Sequence, residues 1–302
     1  MSTEKIQYNT LAALFWVCAV FYAAKASSTL LQTPAGHSEG SETKPIIVTT
    51  IKPLAIIARA AAGHHADVSY LMPATQSPHD YSLPVSGLKK LAEADLVVWI
   101  GKEFETRSAK SIVQVPAKNL ITALRLPMQF PTAGTQEHRH HDGLGIDPHI
   151  WLNPHNANIL AAYIQVTLGL PERTIITDRQ IERLKAELAP HHDKSYLSHH
   201  DAYSHFANAF DLRAGLSLRD STGAAKGAKS QYQLRTIAAS DNGAHCVFTE
   251  RQYQSKDAQT LAAALQLPLV ELDPQGLNQA LNSNGYAEFI TGLIAQFKVC
   301  FK

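Results

Sequence analysis

Residues 46–100 read IIVTTIKPLAIIARAAAGHHADVSYLMPATQSPHDYSLPVSGLKKLAEADLVVWI, and the alternation inside this stretch sets the fold class. Residues 46–50, 68–71 and 96–100 are short runs rich in β-branched side chains. Between them Leu54, Ile57, Ala58 and Ala61, and then Leu88, Leu91 and Ala94, recur at the spacing of one helix face. Strands that are apolar almost throughout and alternate with helices belong to a parallel sheet covered on both faces. The stretch therefore predicts an α/β lobe.

A second unit of the same kind lies near the C-terminus. Residues 246–249 and 269–272 read as buried strands, 257–265 between them as a helix, and 286–297 as a closing helix. A helical pattern starts near Pro154, runs through Tyr163, is interrupted around Gly169 and Pro171, and resumes over 178–188. The expected architecture is α/β, with two lobes, each a small mostly parallel sheet flanked by helices, joined by a helical connector, with a metal site in the cleft between them. Its divisions are an N-terminal lobe over 45–153, a connector over 154–190 and a C-terminal lobe over 191–302.

The N-terminus reads as an export signal. Lys5 precedes the apolar run LAALFWVCAVFYAA (11–24), too short for the roughly 20 residues of a membrane span but the size of a signal-peptide core. Ala24-Lys-Ala26 then offers a cleavage site, so 1–26 is the expected signal peptide; an uncleaved anchor is the alternative. Residues 27–44 are polar and rich in Ser, Thr and Gly, as a flexible tether would be. Of three cysteines, Cys18 leaves with the signal, and Cys246 and Cys300 remain as an even pair in an oxidising compartment, either bonded or as two free thiols.

Composition narrows the function. With 27 basic and 26 acidic residues the net charge is +1, which offers no electrostatic footprint for nucleic acid. Fifteen histidines, concentrated in the middle third, point to metal, since imidazole is the commonest metal ligand. Ligands of open α/β sheets bind beyond the carboxyl ends of the strands. His79 in SPHDY (77–81), His149 in DPHIWLNP (147–154), His200 in HHDAY (199–203) and Asp273 in ELDPQG (271–276) all fall at such edges. Three imidazoles and a carboxylate make a four-coordinate set of the kind zinc accepts. A hydrolytic reading would put Glu250 or Asp80 as general base beside an open zinc position. The chain has neither a His-Glu-x-x-His helix nor a Gly-x-Ser-x-Gly turn, so no enzyme is expected.

In order along the chain, IKPL (51–54), SPHDY (77–81), ADLVVWIG (94–101), HIWL (149–152), HDAY (200–203) with Phe206, CVFTE (246–250), LDP (272–274) and Cys300 resemble the zinc-binding proteins of ABC-type zinc uptake systems, the ZnuA group of metal solute receptors. The resemblance spans residues 46–302. It implies a periplasmic, non-enzymatic receptor that captures Zn²⁺ and passes it to a membrane permease served by a cytoplasmic ATPase, with His79, His149 and His200 as ligands and Asp273 at the family's aspartate position. Similar manganese receptors carry Glu at the third position, so His200 favours zinc. Some zinc members place Glu before the first histidine, where this chain has Pro78, and the fourth ligand is then Asp273 or water. EHRHHD (137–142), with His138, His140 and His141, matches the family's histidine-rich loop in short form and suggests auxiliary zinc capture. The His191-His192 pair reads as solvated. A monomer is expected. A receptor for manganese or another divalent ion, or a surface adhesin of the same fold, is the alternative.

Overall fold

Every strand of the N-terminal sheet is explained by what covers its two faces. The computed structural model describes residues 43–131, 146–240, 243–253 and 255–302. The signal peptide, most of the tether and the histidines at 138, 140 and 141 lie outside them. The chain runs β1 (Ile46–Thr49), α1 (Lys52–Ala62), β2 (Asp67–Tyr70), α2 (Val85–Glu93), β3 (Leu96–Trp99), α3 (Ala109–Ile112) and β4 (Leu120–Thr122). The strands pair in parallel in the order β2-β1-β3-β4. Side chains alternate across this sheet as the pleat requires. Ile47, Leu96 and Val98 enter one core, whereas Val48, Val97 and Trp99 pack on the opposite face with Leu91 and Ile112.

Two helices follow, α4 (Pro154–Leu168) and α5 (Asp178–Leu188). Asn153 caps α4 by accepting from the His155 N–H, Pro154 fits the first turn, and Gly169 ends the helix at φ 62° in the left-handed region. The helix thus runs past Tyr163 to its glycine stop. The break after it is tightly bonded. Asn158 Nδ2 donates to the Ile176 carbonyl at 2.8 Å, and Gln165 Nε2 donates to the carbonyls of Arg173 (2.9 Å) and Ala61 (3.1 Å). Thr177 and Gln180 then form a capping box that starts α5.

The second half contains β5 (Ser195–His200), α6 (Ser204–Ala209), β6 (Leu216–Arg219), α7 (Ala228–Ala238), β7 (Ala244–Glu250), α8 (Lys256–Leu265), β8 (Leu269–Leu272) and α9 (Gly285–Cys300), with its parallel sheet ordered β6-β5-β7-β8. Two strands, β4 and β6, escape the sequence reading because each is short and partly polar. β5 continues to His200, so this histidine, which the sequence places at the edge of an element, is a strand residue and not a loop residue. Its polar composition is accommodated because Ser198 Oγ returns a hydrogen bond to the His200 carbonyl at 2.8 Å.

The inner faces of both sheets share one apolar core with α1, α4 and α9, so the two lobes are not separate globules. Leu197, Val247, Leu234 and Leu261 form a smaller cluster on the outer face of the second sheet. No helix among the described residues is long and apolar enough to cross a membrane.

Cys246 of β7 and Cys300 at the end of α9 form a disulfide, 54 residues apart in sequence. It ties the closing helix to the strand that ends at Glu250. Loop entropy for a closure of that length is worth roughly 4 kcal/mol. A Cys246→Ala, Cys300→Ala variant is expected to unfold in urea with its stability lowered by about that amount and its circular dichroism retained.

Candidate metal centre

The carboxyl ends of β5 and β7 meet at the cleft, with His200 closing one strand and Glu250 closing the other. His200 Nδ1 lies 2.7 Å from Glu250 Oε1, and both side chains are buried. From the segment before α4, His149 places its Nδ1 2.7 Å from Asp147 Oδ1, also buried. A carboxylate can only accept, so the ring nitrogen facing it carries the proton and Nε2 is presented forward. The two forward nitrogens, His149 Nε2 and His200 Nε2, are 3.3 Å apart. His79 joins them from the loop after β2, and its buried Nε2 has no hydrogen-bond partner. Ligand atoms of these three histidines all lie within 4.8 Å of one another, the one such group of metal-binding side chains among the described residues.

The remaining expectation is only partly met. Asp273 follows β8 as anticipated, but its carboxylate is outside this group. The turn it begins is pinned elsewhere. Trp151 Nε1 donates to the Pro274 carbonyl at 3.0 Å and Lys52 Nζ to the Leu277 carbonyl at 2.6 Å. His191 rests against Phe301, ring centroids 5.7 Å apart, and His192 is exposed. Of the two candidate general bases, Asp80 is exposed and paired with Arg107, and Glu250 is engaged by His200 and by Gln252 Nε2 at 2.6 Å.

Sequence reasoning weighed Glu250 only as a base and missed Asp147 as a partner. Asp147 had a local signal, two residues before His149, whereas Glu250 is fifty residues from His200 and shows itself only when β5 and β7 pair. Asp147 is itself supported. It accepts from the His149 backbone N–H at 2.9 Å and from the Ser204 hydroxyl, while its carbonyl lies 3.0 Å from His205 Nε2.

Protonation follows from these contacts. Burial alone would push the Asp147 carboxyl up, but His149, His205 and Ser204 outweigh it and hold it below the usual carboxylate range. His79 is pushed down to about 2, by burial first and then by the facing His149 and His200. Burial also lowers His149 against the pull of Asp147. His200 goes the other way: burial lowers it, yet the charge and hydrogen bond of Glu250 win and raise it. The 3.3 Å between the two Nε2 atoms is the separation that two nitrogens bound about 2.0–2.1 Å from one tetrahedral ion would have. Aromatic side chains wall the group, with Phe104 edge-on to His79 at 4.7 Å, Trp151 5.2 Å from His149 and Tyr253 5.2 Å from His200, which keeps the local dielectric low.

The family model described as "Zinc-uptake complex component A periplasmic" matches residues 47–172 and 176–300. The chain belongs to that family. It is 30% identical over 287 residues to the high-affinity zinc uptake system protein ZnuA of Haemophilus ducreyi, covering 84% of this chain and 92% of the relative. It is likewise 30% identical over 311 residues to ZnuA of Yersinia pestis, covering 92% and 96%. The periplasmic zinc binding protein TroA from Treponema pallidum shares the fold, with a TM-score of 0.69 at 20% identity over 85% of this chain and 99% of that one.

The two carboxylates behind the histidines orient the rings and raise their basicity, and losing such a partner typically weakens metal binding by 10- to 100-fold. Asp147→Asn and Glu250→Gln are each expected to lower the affinity for a divalent ion by about that factor, measured by competition with a chromogenic chelator, with the folded structure retained.

Proposed function

We propose that this protein is a periplasmic receptor that captures Zn²⁺ between its two lobes and hands it to the permease of an ABC-type uptake system. The observation that carries the reading is the convergence of three histidine ligand atoms within 4.8 Å, with carboxylates behind two of the rings. His79, His149 and His200 are the ligands. Imidazole suits zinc, and a neutral three-nitrogen set suits a tetrahedral ion with one further position. Asp273, whose carboxylate stands outside the three-histidine group, or solvent fills that position. A buried, aromatic-walled ligand set presented by strand ends of one continuous core is preorganised, so capture costs little rearrangement.

The same proposal includes the division into a signal peptide over 1–26, a tether over 27–44, lobes over 45–153 and 191–302, and a connector over 154–190, acting as a monomer. Export places the protein where zinc must be scavenged, and the resident permease takes delivery. The histidines at 138, 140 and 141 are assigned to weak auxiliary capture. No catalytic role is assigned, because the carboxylates nearest the site are committed to holding imidazoles.

Calorimetric titration with zinc is expected to show one tight site, which disappears in a His79→Ala, His149→Ala variant. Asp273→Asn separates the two assignments of the fourth position: damage like that of a lost histidine marks a ligand, and near-unmodified affinity marks solvent. The sign of the pH dependence follows from the imidazoles. His79 and His149 are pushed down and His200 is raised, so His200 is the ligand that takes up a proton first as pH falls. Affinity is therefore expected to fall as pH drops through the His200 range. Zinc binding that is flat with pH would contradict this assignment.

A further inference from the structure

Tyr253 touches both lobes at the metal centre and has no role in the coordination described above. It lies in the turn after β7, where its N–H donates to the Glu250 carbonyl at 3.1 Å. Its ring stacks on His199, centroids 4.6 Å apart and planes 27° apart, and meets His200 edge-on at 5.2 Å. Its hydroxyl is 3.4 Å from the hydroxyl of Ser77, which stands two residues before His79 in the other lobe. The contact therefore joins the loop bearing one ligand to the turn that follows the carboxylate partner of another.

The base of this side chain is firmly set. Beneath the stacked ring, His199 Nδ1 is 3.5 Å from Asp257, which is held in turn by Arg219 through Nε at 3.1 Å and Nη2 at 2.8 Å. Gly223, at φ 83°, approaches from the far side, where an added Cβ would come within 3.2 Å of the Tyr253 hydroxyl. Other hydrogen bonds that cross between the lobes are shorter: Ser204 Oγ donates to Asp147, His205 Nε2 lies 3.0 Å from the Asp147 carbonyl, Tyr286 Oη donates to the Trp151 carbonyl at 2.8 Å, Trp151 Nε1 to the Pro274 carbonyl at 3.0 Å and Lys52 Nζ to the Leu277 carbonyl at 2.6 Å. The Ser77 contact is longer than these and joins two partly exposed hydroxyl-bearing side chains, so it is the one that can open without disturbing the core.

We propose that Tyr253 is a latch on the metal centre, its ring shielding His200 and its hydroxyl closing the cleft onto Ser77, so that metal leaves only when this contact breaks. Tyr253 is thus a positioning residue for retention and not a ligand. The proposal rests on the zinc-receptor reading and concerns the rate of release, not the identity of the site.

The test is stopped-flow transfer of zinc from loaded protein to an excess of chromogenic chelator. Tyr253→Phe is expected to release zinc about three- to tenfold faster, the range that loss of one neutral hydrogen bond gives. Ser77→Ala is expected to match it, and the double variant to be no faster than either single one, because both remove the same bond. Tyr253→Ala, which also removes the shield, is expected to be faster still. Zinc that is bound by all variants and released at the unmodified rate, or single effects that simply multiply in the double variant, would overturn the latch while leaving the receptor reading intact. No zinc bound by the unmodified protein would overturn both.

Discussion

Two hydrogen bonds of 2.7 Å, one from His149 to Asp147 and one from His200 to Glu250, set the constraint that the rest of the structure serves. A buried carboxylate is tolerated only where charge and hydrogen bonds compensate its lost hydration. Asp147 meets that condition with an imidazole, a backbone N–H and a hydroxyl from α6. Glu250 meets it with an imidazole and the Gln252 amide. Each bond fixes one ring, and each fixed ring aims one nitrogen at a common point. The centre is thus a consequence of where carboxylates are buried as much as of where histidines are placed.

Bringing the two fixed rings together across a cleft requires the lobes to keep their distance and angle. The fold supplies this through one apolar core that includes the inner faces of both sheets and α1, α4 and α9. Trp151 shows how closely site and scaffold are joined. Its ring lies 5.2 Å from His149, its Nε1 bonds the Pro274 carbonyl, and its own carbonyl accepts from Tyr286 of α9 at 2.8 Å. The disulfide then anchors α9 to β7, the strand that delivers Glu250. Such a scaffold favours small openings at the cleft mouth over large rotations of the lobes.

Much of this was legible in the sequence, for identifiable reasons. β1 and β3 announce themselves because strands buried on both faces are built from apolar, β-branched residues, whereas β8, expected to be buried, is a largely exposed edge strand with only Leu272 buried. His79, His149 and His200 could be chosen because strand ends are where such sheets bind ligands. β4 and β6 were not legible, since three or four residues at a sheet edge carry too little pattern. β5 was underestimated because its serines and histidines look like a loop until their hydrogen bonds are seen. The pairing of His200 with Glu250 has no local signature at all; only the parallel register of β5 and β7 reveals it. Asp273 shares the strand-end position that marked the histidines, but the bonds to Pro274 and Leu277 direct its turn onto α1 and Trp151 instead of into the nitrogen group.

The proposed position of the ion, between the Nε2 atoms of three histidines, is open to crystallography of the zinc-loaded protein. Anomalous difference density at the zinc edge is predicted as one peak between His79, His149 and His200, about 2.0–2.1 Å from each Nε2. A peak held through Nδ1 atoms, or one at other histidines such as the His64-His65 pair with this cluster vacant, would contradict the account.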